Sequence, residues 1–328
     1  MRYFERASLG VVAVLVAMLM GVTLYDPPAK ATAAPRAELP VTPSAPPAAK
    51  KLLPGGLSNL ARAMSGFTVR KLSDTFSSLG YDLKSVLSGD DGVPRLFLAS
   101  LPEDFGKIRE VTVRKALFFR TVLPLILQVN EGLLADRRRL WELHYRMGTG
   151  LRLEAADRLW LIVMSERYGV GEGDIDALLR RVDIIPTSLA LAQAAEESGW
   201  GTSRFAREGN AIFGQWTFAR DGNLVPLRRD AGKIHSVRAF ETLLDGAKAY
   251  ARNLNTHHAY GGFREQRAGM RKTGQPVEGA VLARTLLSYS ERRSAYVETI
   301  LSIIAANGLS TLDDARLRAQ GRDFQPLI

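Results

Sequence analysis

Two adjacent glutamates, Glu196 and Glu197, stand where an alanine-rich segment runs into Ser198-Gly199-Trp200-Gly201. Breaking a glycosidic bond needs an acid to protonate the leaving oxygen, and near neutral pH that acid needs a raised pKa. A carboxyl at the C-terminal end of a helix feels the negative pole of the helix dipole. Burial among alanines and beside Trp200 would disfavour its charge further, and an adjacent carboxylate pushes the same way. Neighbouring helical positions point about 100° apart, so only one of the pair can face a groove. On spacing alone, two exposed glutamates near a helix end are the plainer account.

A second carboxylate is the usual companion in such chemistry. Asp221, Asp230 and Glu241 are the candidates in the segment that follows. Asp230 is preferred because it sits in a loop beside a turn, whereas Asp221-Gly222-Asn223 reads as a hairpin turn. If the substrate supplies its own acetamido oxygen, one acid suffices. Trp200 and Trp216 flank the groove in sequence, and their ring faces could stack on sugars. Other chemistries are excluded or find no pattern. The chain has no cysteine, which removes thiol nucleophiles, cysteine–zinc sites and disulfides. The four histidines lack metal-ligand spacing, and there is no Gly-x-Ser-x-Gly elbow. No metal and no cofactor are expected. The net charge of +10 suits a polyanion or a solvated basic surface. No zinc-finger spacing, RNP-like segment or recognition helix is present, so a nucleic-acid partner is not expected.

These residues need elements to position them. Pro186-Thr187-Ser188 starts a helix, with Thr187 or Ser188 as its cap, and the alanines of 190–195 favour helix and close packing. Residues 215–240 alternate and turn, which predicts a small β-hairpin lobe. Helices are expected over 243–253, 279–287 and 295–306. Upstream, residues 55–185 read as mainly helical, with helices over 108–129 and 154–168 and a short strand at 93–98. Val111, Leu117, Val122, Leu125, Leu127, Leu159, Trp160, Ile162 and Val163 are the expected core positions. Arg2 and Arg6 precede an apolar run over 9–25, which reads as an uncleaved signal anchor in the cytoplasmic membrane, with periplasmic release if it is cleaved. The Pro/Ala-rich stretch 26–54 reads as a tether. The expected organisation is therefore anchor 1–25, linker 26–54, helical region 55–185, catalytic domain 186–310 and tail 311–328.

The string Ala192-Gln193-Ala194-Ala195-Glu196-Glu197-Ser198-Gly199-Trp200-Gly201, followed by Asn210-Ala211-Ile212-Phe213-Gly214-Gln215, resembles the glucosaminidase family of peptidoglycan hydrolases. Gly80-Tyr81-Asp82-Leu83, Val93-Pro94-Arg95, Arg114-Lys115, Phe213-Gly214-Gln215-Trp216-Thr217-Phe218 and Leu254-Asn255-Thr256-His257 narrow the resemblance to the bacterial Bax-type branch, over roughly residues 75–310. The resemblance implies a lysozyme-like α+β domain, mainly helical with a small β-hairpin lobe. It implies peptidoglycan glycan strands as substrate, and it places the catalytic glutamate on Glu197 and not on Glu196. It also points to Tyr289, ahead of Tyr296, as a sugar-positioning tyrosine, although the Thr-Asp of the family's Tyr-Ala-Thr-Asp motif is missing here. The expected substrate-binding set is Trp200, Asn210, Phe213, Gln215 and Trp216, with Phe213 at the base of the lobe. A lytic transglycosylase or muramidase, and a wall-binding module without catalysis, are the competing readings.

Overall fold

The helix that carries the two glutamates is the hub of the molecule. The structure, a computed structural model, describes residues 67–217 and 236–319, all within one unit spanning Pro54–Ile328. Its helices are α1 (Val69–Ser78), α2 (Leu83–Leu87), α3 (Val111–Gly148), α4 (Ala155–Tyr168), α5 (Ile175–Arg181), α6 (Thr187–Ser198), α7 (Arg204–Gly209), α8 (Leu243–Thr256), α9 (Gly261–Lys272), α10 (Gly279–Ala283) and α11 (Ser294–Ala306). Residues 187–195 of α6 are all buried. A helix apolar on every side must be enclosed by other elements. Here α3, α10, α11 and the 3-10 turn Leu309–Asp314 enclose it.

Close approach explains the small residues. A Cβ on Gly279 would stand 2.1 Å from Ser188 Oγ and 2.8 Å from Leu189 N, so α10 can sit against the start of α6 only with glycine there. The first turn of α6 is capped from a distance. Pro186 holds the N-cap position, and the Asp313 carboxylate accepts from Ser188 N (2.8 Å), Ser188 Oγ (2.8 Å) and Gly279 N (2.9 Å). Neither Thr187 nor Ser188 is the cap that local reasoning predicts; both lie inside the helix, and a carboxylate from the 3-10 turn satisfies the orphan amide.

The helix α3 runs 38 residues, well past the predicted end at 129, and buries every residue of 121–127. Among the described residues it is long and apolar enough to cross a membrane, but 67% of its most apolar window is buried within the protein, as in a core helix. Val111, at its first turn, is 50% exposed and is not core. The same correction applies to α4, where Leu159 (62%), Ile162 (44%) and Val163 (41%) face outward. The buried stripe of α4 is Leu161, Met164, Ser165 and Tyr168, the i, i+3, i+4, i+7 set one register away. Trp160 is half-buried beneath the Arg139 guanidinium.

The α+β expectation is overturned. The described residues are helical, and the paired extended segments among them at 216–217 and 236–237 are two residues each, Trp216 opposite Val237 and Thr217 opposite Ser236. Two residues cannot bury a face of their own, so the described residues hold no β-hairpin lobe and the fold among them is mainly helical. The predicted strand at 93–98 reduces to one parallel bridge, with Val93 N donating to Arg316 O (2.9 Å) and Arg318 N to Val93 O (2.8 Å). The anchor, the linker and the turns around Asp221 and Asp230 lie outside the described residues.

Candidate active site

Ser198-Gly199-Trp200-Gly201 decides where Glu197 stands. Gly199 adopts φ 56, its N–H donates to Glu196 O (3.3 Å), and Trp200 N–H donates to Ala195 O (2.8 Å). These are the paired bonds of a Schellman stop, which ends α6 one residue beyond Glu197. The two glutamates then diverge. Glu196 turns to Arg292, its Oε1 2.5 Å from Nη2. Glu197 lines a cavity of about 700 Å³ together with Phe213, Gln215, Tyr260 and Tyr289. Gly214, at φ 57, passes so close that a Cβ there would lie 3.1 Å from Glu197 Oε2.

Burial pushes the Glu197 carboxyl above its ordinary value, and the neighbouring Glu196 charge adds to this, while a hydrogen bond from Tyr296 and the charge of Arg292 oppose it. The direction of that hydrogen bond is set by a buried relay. Tyr250 OH donates to Gln193 Oε1 (2.7 Å), and Gln193 Nε2 donates to Tyr296 OH (2.9 Å). The Gln193 amide nitrogen can only donate, so the Tyr296 proton is free for Glu197. Gln193 lies one turn before Glu197 on the same face of α6.

Aromatic rings build the walls. Tyr289 stacks on Tyr296 with centroids 5.4 Å apart and 12° between planes, and Tyr260 lies 5.9 Å from Tyr289. Phe213 stacks flat on Tyr250 at 3.9 Å. Burial, with the Glu197 carboxylate nearby, holds the Tyr289 phenol well above its ordinary pKa, so it is a neutral hydroxyl.

The structure thus brings Glu197, Phe213, Gln215 and Tyr289 to one cavity. Gln215 Nε2 is buried without a hydrogen-bond partner among the described residues. Trp200 is elsewhere, packed edge-on against Phe118 (6.1 Å) and Phe119 (5.2 Å) with Lys115 Nζ 4.5 Å from its ring centroid. Asn210 does not line the cavity; it ends α7 at φ 51 and donates to Phe240 O (3.1 Å) and Glu241 O (2.9 Å). Trp216 is placed by its backbone pairing with Val237, and its side chain lies outside the described residues, as does Asp230. Glu241 is exposed and does not line the cavity. Among the described residues the other carboxylate that does is Asp245, which accepts from Thr242 Oγ1 (2.7 Å) in the first turn of α8. Sequence reasoning missed the Gln193–Tyr250–Tyr296 relay and the cations Arg238, Lys248 and Arg252 on the cavity wall. The i, i+4 spacing of Lys248 and Arg252 on a helix was the one available signal for the cations.

Residues 173–309 match the glucosaminidase family model, described as mannosyl-glycoprotein endo-beta-N-acetylglucosaminidase. Protein bax of Escherichia coli strain K12 is 35% identical over 215 residues, covering 64% of this chain and 75% of that protein. No solved structure matches significantly. The matched family domain spans the helix that bears Glu197 and every described wall of the cavity, and it marks the chain as a glycosidase acting on a glycan. With the domain and most of a curated relative both aligned, the chain belongs to the Bax-type proteins of the glucosaminidase family.

Proposed function

We propose that the protein is a peptidoglycan hydrolase that cuts the β-1,4 bond after N-acetylglucosamine, with Glu197 as the general acid. The observation that carries this is the Glu197 carboxyl, its pKa raised chiefly by burial, in a cavity lined by Tyr260 and Tyr289, with a hydrogen bond from Tyr296. A protonated Glu197 supplies the proton to the leaving oxygen. The carboxylate left behind accepts the Tyr296 hydroxyl, so the same residue can then act as base toward water. Gln215 suits the sugar as an amide donor without a partner among the described residues, while Phe213, buried and stacked on Tyr250, supports the cavity wall. Tyr289 suits the positioning of the acetamido group. Asp230 is the proposed second acid; without it, the acetamido oxygen of the substrate takes that part.

Digestion of purified peptidoglycan with identification of the new ends tests this. New reducing-end N-acetylglucosamine supports it, and Glu197→Gln should lower the rate by at least about 10²-fold. Anhydro-muramic ends would replace the reading with a lytic transglycosylase. Retention on the wall without any cleavage would leave a binding module.

A further inference from the structure

The cations on α8 face two cavities. Lys248 and Arg252, one turn apart, line the Glu197 cavity and also a second one of about 480 Å³. The second cavity is walled by Phe97, Val129, Leu133 and Leu244, with Arg167 at its edge. Its one carboxylate is Asp136. Lys248 meets Asp245 only at 3.8 Å, with both side chains largely exposed, and Arg252 has no ion pair among the described residues. An apolar pocket with cations on the rim fits a ligand that has small alkyl groups and free carboxylates. The sugars of a stem-bearing glycan offer acetamido and lactyl methyl groups but no free carboxylate, because the lactyl carboxyl is consumed in the amide bond to the stem. The peptide stems attached to muramic acid offer both, and they branch from the strand beside the bond to be cut.

We propose that this second cavity, across the Lys248–Arg252 ridge from Glu197, binds the peptide stem of the glycan being cleaved. The inference rests on the peptidoglycan reading above. It makes the ridge a specificity element: the strand lies in the Glu197 cavity while its branch crosses α8. Gly132, in the middle of α3, lines the same cavity, and a Cβ there would meet nothing within 4 Å. A Cβ can therefore be added without displacing a neighbour, Gly132 is itself exposed, and any residue but proline favours helix over glycine.

The test uses the Glu197→Gln protein, so that ligands are not consumed, and two fragments. One is N-acetylglucosaminyl-N-acetylmuramoyl-tetrapeptide; the other is the same disaccharide with its lactyl group capped as a simple amide. Calorimetric titration should show the peptide-bearing fragment binding at least about 10-fold tighter, a difference of about 1.4 kcal/mol. Adding Gly132→Glu should abolish that preference through like-charge repulsion, and adding Gly132→Ala should preserve it. Equal affinity for the two fragments, a preference untouched by Gly132→Glu, or no binding of the peptide-bearing fragment would each overturn the inference. Digestion of whole peptidoglycan by the unmutated protein, run in parallel, keeps the two readings apart. Failure of the glycosidase reading shows as no cleavage; failure of this one shows as cleavage without a peptide preference.

Discussion

Glu197 is held between opposing influences, and each can be removed separately. Burial and Glu196 raise its pKa; Tyr296 and Arg292 lower it. A general acid is active while protonated, so the alkaline limb of the kcat/KM profile follows this pKa. Tyr296→Phe removes a donor to the carboxylate and should move that limb to higher pH. Glu196→Gln removes a like charge and frees Arg292, so it should move the limb to lower pH with little loss at the optimum. Limbs that shift together, or not at all, would detach the profile from Glu197. Stability gives an independent reading. A carboxyl whose folded pKa is raised binds its proton more tightly when folded, so stability falls as pH rises from the ordinary carboxyl value through the raised one. Glu197→Gln should therefore melt at or above the unmutated protein near neutral pH, and the difference should vanish below the ordinary carboxyl range.

At the scale of elements, α6 is positioned by groups distant in sequence, and the joint between α5 and α9 works the same way. Asp183, 2% exposed, follows α5, and Arg271 on α9 grips it with Nε–Oδ2 3.1 Å and Nη2–Oδ1 2.9 Å. Arg267, fully buried, donates to the carbonyls of Arg180, Arg181, Asp183 and Ile184, which closes the C-terminal end of α5. Arg137 approaches from α3 at 3.6 Å. Burial pushes the Asp183 carboxyl up, but Arg267, Arg271 and Arg137 together outweigh it and hold it below the usual range. Removing this one counter-charge leaves the fully buried Arg267 and the partly buried Arg137 guanidinium groups uncompensated, with Arg271 beside them at the surface. Asp183→Asn should cost about 3–5 kcal/mol near neutral pH by chemical denaturation. The sign with pH is opposite to that of Glu197. A depressed pKa contributes stability above the unfolded value and loses it as pH falls through the folded one. The deficit of the variant should therefore shrink on acidification, and a pH-independent deficit would assign the loss to packing instead.

For the whole molecule, what was legible in the sequence was what local rules encode. The stop after Ser198 is written in Gly199, and with it the place of Glu197 at the end of α6. The relay was not legible, because Gln193 meets residues 57 and 103 positions away. The outward face of α4 was misread because apolar spacing reports a stripe without saying which stripe meets the core. The β lobe was misread because alternation and turn residues do not say how long a pairing runs, and among the described residues it is two residues on each side. The chain outside residues 67–319 carries a separate expectation, built on Arg2, Arg6 and the apolar run of 9–25. We propose that this run is a signal anchor in the cytoplasmic membrane and that the catalytic region stands in the periplasm, where its substrate is. The helix α3 does not compete for the role, since most of its apolar window is enclosed in protein. A reporter active only outside the cytoplasm, fused after Ile328, should be active, and a fusion of a cytoplasm-only reporter should be silent. Replacing Leu15 and Leu19 by lysine puts two charges in the apolar run, each costing about 2.5–3.5 kcal/mol at a span's centre. That should trap the protein inside and reverse both reporters. A protein whose reporters stay unchanged is exported by some other route, and one active only in the cytoplasm does not meet peptidoglycan at all.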